Sequence, residues 1–196
     1  MTMVATDRVR WTVDDLALLP SEKTRYEVIA GDLYMTHAPH WNHQKTCMRI
    51  ARYLDEWSMQ SGLGEVVDGA GVIFSEEDAV IPDVVWVSKV RLKKLLDESG
   101  HLTGAPDLAI EVLSAGIDEV LSAGIDNEKR DRQVKLKLYS IQGVQEYWIA
   151  DWRQKKIEVY RRDNAVLRLK ETLFVQDSIS SPLLPDFNCA VERFFL

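Results

Sequence analysis

The order of secondary-structure signals predicts an α/β (α+β) domain built on one sheet. Two runs carry most of that expectation. Ile81-Pro82-Asp83-Val84-Val85-Trp86-Val87 and Ala105-Pro106-Asp107-Leu108-Ala109-Ile110-Glu111-Val112-Leu113 are apolar and largely free of polar alternation, as buried strands are. Apolar residues at helical spacing, between and around these runs, supply the helices. A chain of 196 residues, 46% of them hydrophobic, is long enough to bury a substantial core as one domain spanning 1–196.

Taken in order, residues 1–10 read as a loose terminus. Thr12 or Asp14 caps a short helix that ends before Pro20. Tyr26–Ile29 and Leu33–Met35 flank the turn Ala30-Gly31-Asp32 and form a hairpin. Asn42 is the expected N-cap of a helix to Gln60, with Cys47, Ile50, Ala51, Leu54 and Trp57 on one face. Extended segments follow at 64–68, 71–75 and 79–88, then a helix over 89–98 and the second Pro-Asp strand over 107–113. A basic helix over 127–142 stops at Gly143, a residue suited to a helix C-terminus. Strands at 144–150 and 156–161 are joined at Asp151-Trp152-Arg153-Gln154, and one more strand lies near 166–169.

The bulk numbers exclude several classes. No apolar run is long enough for a membrane span, and the N-terminus lacks the basic-then-apolar pattern of a signal peptide. Cys47 and Cys189 lack ligand spacing and read as free thiols, which places the protein in the cytoplasm. The net charge of −7 is unevenly spread. Residues 1–125 hold 11 Lys and Arg against 20 Asp and Glu, whereas 126–170 hold 12 against 7. That basic segment either lines a phosphate-binding surface or is an ordinary solvated face.

The chemistry starts from carboxylates in apolar strands. Burying one is costly without a cation or a hydrogen-bonding partner, so Asp83 and Glu111, meeting on adjacent strands, can share a hard divalent ion. Phosphodiester hydrolysis needs a metal-activated water and charge stabilisation at phosphorus, which carboxylate-held Mg²⁺ provides. Lys135, on the basic helix, is the cation expected to orient the water. Asp131 lies one helical turn before it and Tyr139 one turn after. Singly, each feature has an ordinary explanation: Pro-Asp is a common turn pair, and Asp131–Lys135 has the spacing of a surface ion pair.

A perfect tandem octad, EVLSAGID at 111–118 and again at 119–126, duplicates the glutamate. Two short copies do not make a solenoid. Glu111 directly follows the apolar strand run and is favoured, with 114–126 read as an extended loop; Glu119 is the alternative.

Five segments carry a resemblance: Tyr26-Glu27-Val28-Ile29-x-Gly31-Asp32-Leu33; the two Pro-Asp strands; Asp131-Arg132-x-x-Lys135-Leu136-x-Leu138-Tyr139; and Gly143-Val144-x-Glu146-Tyr147-Trp148-Ile149-x-Asp151. Together they resemble the Uma2 family (DUF820), similar to restriction endonucleases of the PD-(D/E)XK superfamily. The resemblance spans about 11–162, with 163–196 as a C-terminal extension. It implies a restriction endonuclease-like core, a central mixed β-sheet flanked by helices. It also implies Asp83 and Glu111 as metal ligands, with Glu27 completing the site. The superfamily's usual lysine, two residues beyond the glutamate, is Leu113 here, and the role passes to Lys135. In the family pattern the glutamate stands about sixteen residues before the helical lysine, a separation that Glu119 has and Glu111 does not.

Other constellations are weaker. His37, His40 and His43 are interrupted by Pro39 and lack accompanying ligands for zinc, although His43 suits a substrate contact at the helix start. There is no GxGxxG, GxxxxGK[ST] or GxSxG pattern. The resulting expectation is a Mg²⁺-dependent (or Mn²⁺-dependent) endonuclease acting on DNA as a homodimer, with Lys129, Arg130 and Arg132 contacting phosphates. The alternatives are a nuclease-fold binding or regulatory module without catalysis, and a nuclease acting on RNA.

Overall fold

The computed structural model describes residues 9–20, 24–36, 38–114 and 127–196. Its centre is a mixed six-stranded sheet. The elements that build it are β3 (Gly64–Asp68), β6 (Val84–Ser88), β7 (Leu108–Val112), β8 (Glu146–Asp151), β9 (Lys156–Asp163) and β10 (Val166–Phe174). They lie in the order β10-β9-β8-β7-β6-β3, and only the β7–β8 pair is parallel. That parallel step requires a crossover, and the helix after Asn127 is part of it.

Both faces of the central strands are buried, which explains their near-continuous apolar sequence. One face presents Val84, Trp86, Leu108, Ile110, Trp148 and Ala150 to the long helix α2 (Trp41–Ser61), through Cys47, Ile50 and Leu54. The other presents Val85, Val87, Ala109, Leu113, Tyr147 and Ile149 to Leu138 and Tyr139. Helices flank the mixed sheet as expected.

A second sheet of four short strands has the order β2-β1-β5-β4. Its members are β1 (Arg25–Ile29), β2 (Asp32–Thr36), β4 (Val72–Ser75) and β5 (Asp78–Val80). The β1–β2 hairpin turns through Ala30 and Gly31, both at positive φ. The expectation of one sheet therefore understates the fold. The C-terminus differs too. Instead of ending near 169, β10 runs to Phe174, and β11 (Ser178–Ser181) and β12 (Leu184–Ala190) form a hairpin. A bulge between Leu169 and Glu171 breaks the two-residue alternation there, which hides the strand from a periodicity argument. Ile179, Leu184, Phe187 and Phe194 from this extension join the core beneath α2.

The short α1 (Val13–Leu16) has a Thr12–Asp15 capping box. Helix α2 is capped by His40 rather than Asn42: His40 Nδ1 accepts the Asn42 N–H at 3.1 Å. A shorter helix, α3 (Lys89–Leu95), follows β6. No helix among the described residues is long and apolar enough to cross a membrane.

The crossover helix is irregular. After α4 (Asn127–Lys129), Arg130–Lys135 winds as a π-helix before α5 (Leu136–Gln142) resumes the α form. Gly143 ends α5 in the left-handed region, φ 93°. A Cβ there would meet nothing closer than an Arg162 nitrogen at 3.7 Å, so a substitution carries only backbone strain. Gly143→Ala is expected to cost about 1 kcal/mol in urea unfolding, and Gly143→Asn less, because Asn tolerates this region better.

Candidate active site

The first residue before β6 and the fourth residue of β7 stand side by side. Antiparallel pairing of Val84 with Ile110 continues to Asp83 beside Glu111. Asp83 Oδ2 accepts the Val112 N–H at 2.8 Å, which ties the two strand ends together. Glu111 shares its face of β7 with Ala109 and Leu113, towards the crossover helix, and is buried.

The helix meets it with two donors. Lys135 Nζ and the Tyr139 hydroxyl both donate to Glu111 Oε1, at 2.9 and 2.8 Å. Lys135 Nζ also reaches Glu27 Oε1 at 2.9 Å, from strand β1. Glu27 is held in turn by the Ile81 N–H at 2.7 Å and by Arg130 at 3.6 Å. The π-turn explains Arg130. Its wider winding returns a residue five positions away to the same side, so Arg130, Asp131 and Lys135 all line the cleft. These groups, with Arg25, Thr36, His40, His43 and Ser114, enclose about 250 Å³.

Four buried or nearly buried carboxylates, Glu27, Asp83, Glu111 and Asp131, thus share the cleft with two buried cations, Lys135 and Arg130, and with the exposed Arg25. Burial pushes Glu111 up to about 8, and the neighbouring charges of Asp131, Asp83 and Glu27 add to that against the pull of Lys135. Asp131 is likewise pushed up to about 6 by burial, with Lys135 and Arg130 opposing. Glu27, at the same distance from Lys135 as Glu111, moves the other way. Burial raises it, but Lys135, Arg130 and the Ile81 N–H together bring it below the ordinary range. Asp83 also falls below that range: burial raises it, but the hydrogen bond and charge of His43, the Val112 N–H and Lys135 together bring it down. Lys135 is raised by its carboxylates despite desolvation and stays an ammonium.

The donor set suits a hard divalent ion. Asp83 Oδ1 and Glu111 Oε2 carry no hydrogen bond among the described residues, and the local excess of negative charge favours a cation. Asp131 Oδ1 is buried without a hydrogen-bond partner. Glu27 is differently placed: its Oε1 is already engaged by Lys135 and Ile81. Among the described residues, three metal-ligating atoms within 4.8 Å of one another come only from His43, Cys47 and Asp83, and no such trio includes Glu111.

Asp83, Glu111, Lys135, Glu27, Arg130 and His43 therefore converge on one cleft. Lys129 and Arg132 do not line it. Arg132 turns to Glu128, at 2.8 Å, and to Glu158. Much of the basic segment is neutralised in the same way: Arg153 pairs with Glu128 and Asp151, and Arg161 with Glu146 and Glu171. The excess of positive residues in sequence is thus partly offset by carboxylates from other elements. Glu119 and His37 lie outside the described residues. Sequence reasoning missed the inward turn of Arg130, for which a helix read at 3.6 residues per turn has no signal.

A family model described as "Putative restriction endonuclease", Uma2, matches residues 13–192. The chain belongs to the Uma2 family. A solved structure with the same fold is a protein described as "a putative nuclease belonging to DUF820" from Anabaena variabilis. It is 18% identical, with a TM-score of 0.71 over 94% of this chain and 97% of that one. No curated protein matches. Family membership and the shared fold thus agree with the restriction endonuclease-like core.

The buried carboxylates of this Uma2 chain give a pH signature without metal. Between its ordinary 4.5 and about 8, folded Glu111 keeps a proton that the unfolded chain has lost. Its contribution is complete below the lower value and is lost as pH rises through the upper one. Asp131 acts in the same sense at lower pH. In chelator-treated protein, stability from urea unfolding should fall between about pH 5 and about pH 8, and Glu111→Gln should make that slope shallower.

Proposed function

We propose that this Uma2 protein is a metal-dependent endonuclease that hydrolyses phosphodiester bonds in DNA. One observation carries the reading: an ammonium, Lys135, is fixed at 2.9 Å from Glu111 and from Glu27, beside the strand end that presents Asp83. The family description and the nuclease-fold relative support it.

Asp83 and Glu111 would hold Mg²⁺ or Mn²⁺ through their uncommitted oxygens. Bound there, a hard ion supplies Lewis-acid polarisation of a phosphate oxygen and a water of lowered pKa. The remaining work falls to the chain. Glu27 serves chiefly to position Lys135. An ammonium has three protons; two are engaged by Glu111 and Glu27, and the third is available to the attacking water or the charge developing at phosphorus. Because Lys135 is held protonated, it acts as an orienting and charge-stabilising group rather than a base. Tyr139 fixes Glu111 by donating to the oxygen that Lys135 also uses. Arg130 and His43, which line the cleft with Arg25, can meet phosphate oxygens within it. A homodimer, with two such clefts, suits cutting of two strands. The two free thiols accord with a cytoplasmic setting.

The test is cleavage of plasmid DNA, with an RNA substrate alongside, at increasing Mg²⁺ or Mn²⁺. Wild-type protein should nick or linearise DNA. Asp83→Asn and Glu111→Gln should each lower the rate by about 10³ or more and weaken Mn²⁺ binding. Lys135→Met should lower it by about 10²–10³ while Mn²⁺ binding persists. Wild-type protein inactive on DNA with every metal, or variants as active as wild type, would overturn the reading.

A further inference from the structure

A second donor set adjoins Asp83. His43 and Cys47 are four residues apart on α2, so both project from one face towards the end of β6. Cys47 Sγ is 3.5 Å from His43 Nδ1, and His43 Nε2 is 3.2 Å from Asp83 Oδ2. One ligand atom from each of the three lies within 4.8 Å of the others, and His43 and Cys47 are buried. Around a tetrahedral zinc, with bonds of roughly 2.0–2.3 Å, ligand atoms stand roughly 3–4 Å apart; the Nε2–Oδ2 pair already has that separation, and Cys47 Sγ, now beside Nδ1, has to turn towards Nε2 to complete the set.

We propose that His43, Cys47 and Asp83 form a binding site for Zn²⁺ or another thiophilic divalent ion, distinct from the carboxylate pair but sharing Asp83 with it.

Two further observations support the site. His43 Nδ1 lies 3.1 Å from Gln44 Oε1 and Nε2 faces Asp83, so the tautomer with its proton on Nδ1 donates to Gln44 and offers Nε2 to an ion. Orienting a ligating imidazole through its other nitrogen is the usual outer support of such sites. Without an ion, an Nε2 proton fills the gap to the carboxylate, where a metal ion can take its place. Access exists as well. A second cavity of about 330 Å³, lined by Cys47, Asp83, Arg25, Gln44 and Asp68 among others, reaches two members of the trio, while His43 lines the first cleft. Nitrogen, sulfur and one carboxylate oxygen favour Zn²⁺ or Co²⁺ over Mg²⁺, whereas Asp83 with Glu111 favours Mg²⁺. An ion in the thiolate site occupies Asp83 and should therefore inhibit metal-dependent cleavage. That consequence rests on the nuclease reading; the site itself does not.

The probe is Co²⁺ added to the full-length, chelator-treated protein. Wild type and Cys189→Ser should show the near-ultraviolet thiolate-to-cobalt charge-transfer band at one ion per chain, bleached by Zn²⁺. Cys47→Ser should lose the band, and His43→Asn should weaken Co²⁺ binding by at least roughly tenfold. In cleavage assays Cys47→Ser should keep its Mg²⁺-dependent rate and resist Zn²⁺. Absence of the band in wild type, or its loss in Cys189→Ser with retention in Cys47→Ser, overturns the site. Because the band is read without substrate, it decides the site even if no cleavage is found. Should Cys47→Ser fail to fold, the band in wild type and its persistence or loss in Cys189→Ser still decide which thiol binds. Equal Zn²⁺ inhibition of wild type and a folded Cys47→Ser would overturn the competition for Asp83.

Discussion

The Lys135 ammonium is the point on which the cleft depends. It brings a helix residue against carboxylates from two different sheets, Glu111 on β7 and Glu27 on β1. Taking these charges out of water costs several kcal/mol per ion, and bare attraction does not make such a pair a good source of stability. The arrangement is better understood as a constraint on geometry. Lys135 and Tyr139 select one oxygen of Glu111 and leave the other towards the cleft, while Asp83 is fixed by the Val112 N–H and His43.

The electrostatics follow from burial. It weighs most on Glu111 and Asp131, whose protons are held to about 8 and about 6 against the opposing pull of Lys135 and, at Asp131, of Arg130. A cation that enters the cleft replaces those protons. In the two proposed sites Asp83 is the shared ligand, joined by the hard oxygen of Glu111 in one and by His43 with Cys47 in the other. Its position at the end of β6, rather than inside it, lets one carboxylate serve either.

Much of this was legible in the sequence because burial leaves a strong mark. The two Pro-Asp runs were recognisable as core strands, and a carboxylate inside such a run asks for compensation, which singled out Glu111. The spacing of Asp131, Lys135 and Tyr139 placed one helix face against it. What stayed hidden depended on geometry that local pattern does not encode. The π-turn moved Arg130 from an expected phosphate-contacting surface to a buried place beside Glu27. The basic stretch after residue 126 looked like a binding surface because its partners, such as Glu158 and Glu171, come from other strands. The bulge in β10 and the serine-rich β11–β12 hairpin concealed the extra strands of the C-terminal part. The His43–Cys47–Asp83 trio needed a contact between α2 and β6, and the cysteine had no sequence spacing to announce it.

The most direct measurement is anomalous diffraction from crystals soaked in Mn²⁺. The account predicts a manganese peak between the Asp83 and Glu111 carboxylates, with Lys135 still bridging Glu111 and Glu27. No peak at that position at saturating Mn²⁺, or an ion bound there with Asp83 and Glu111 both turned away from it, would contradict it.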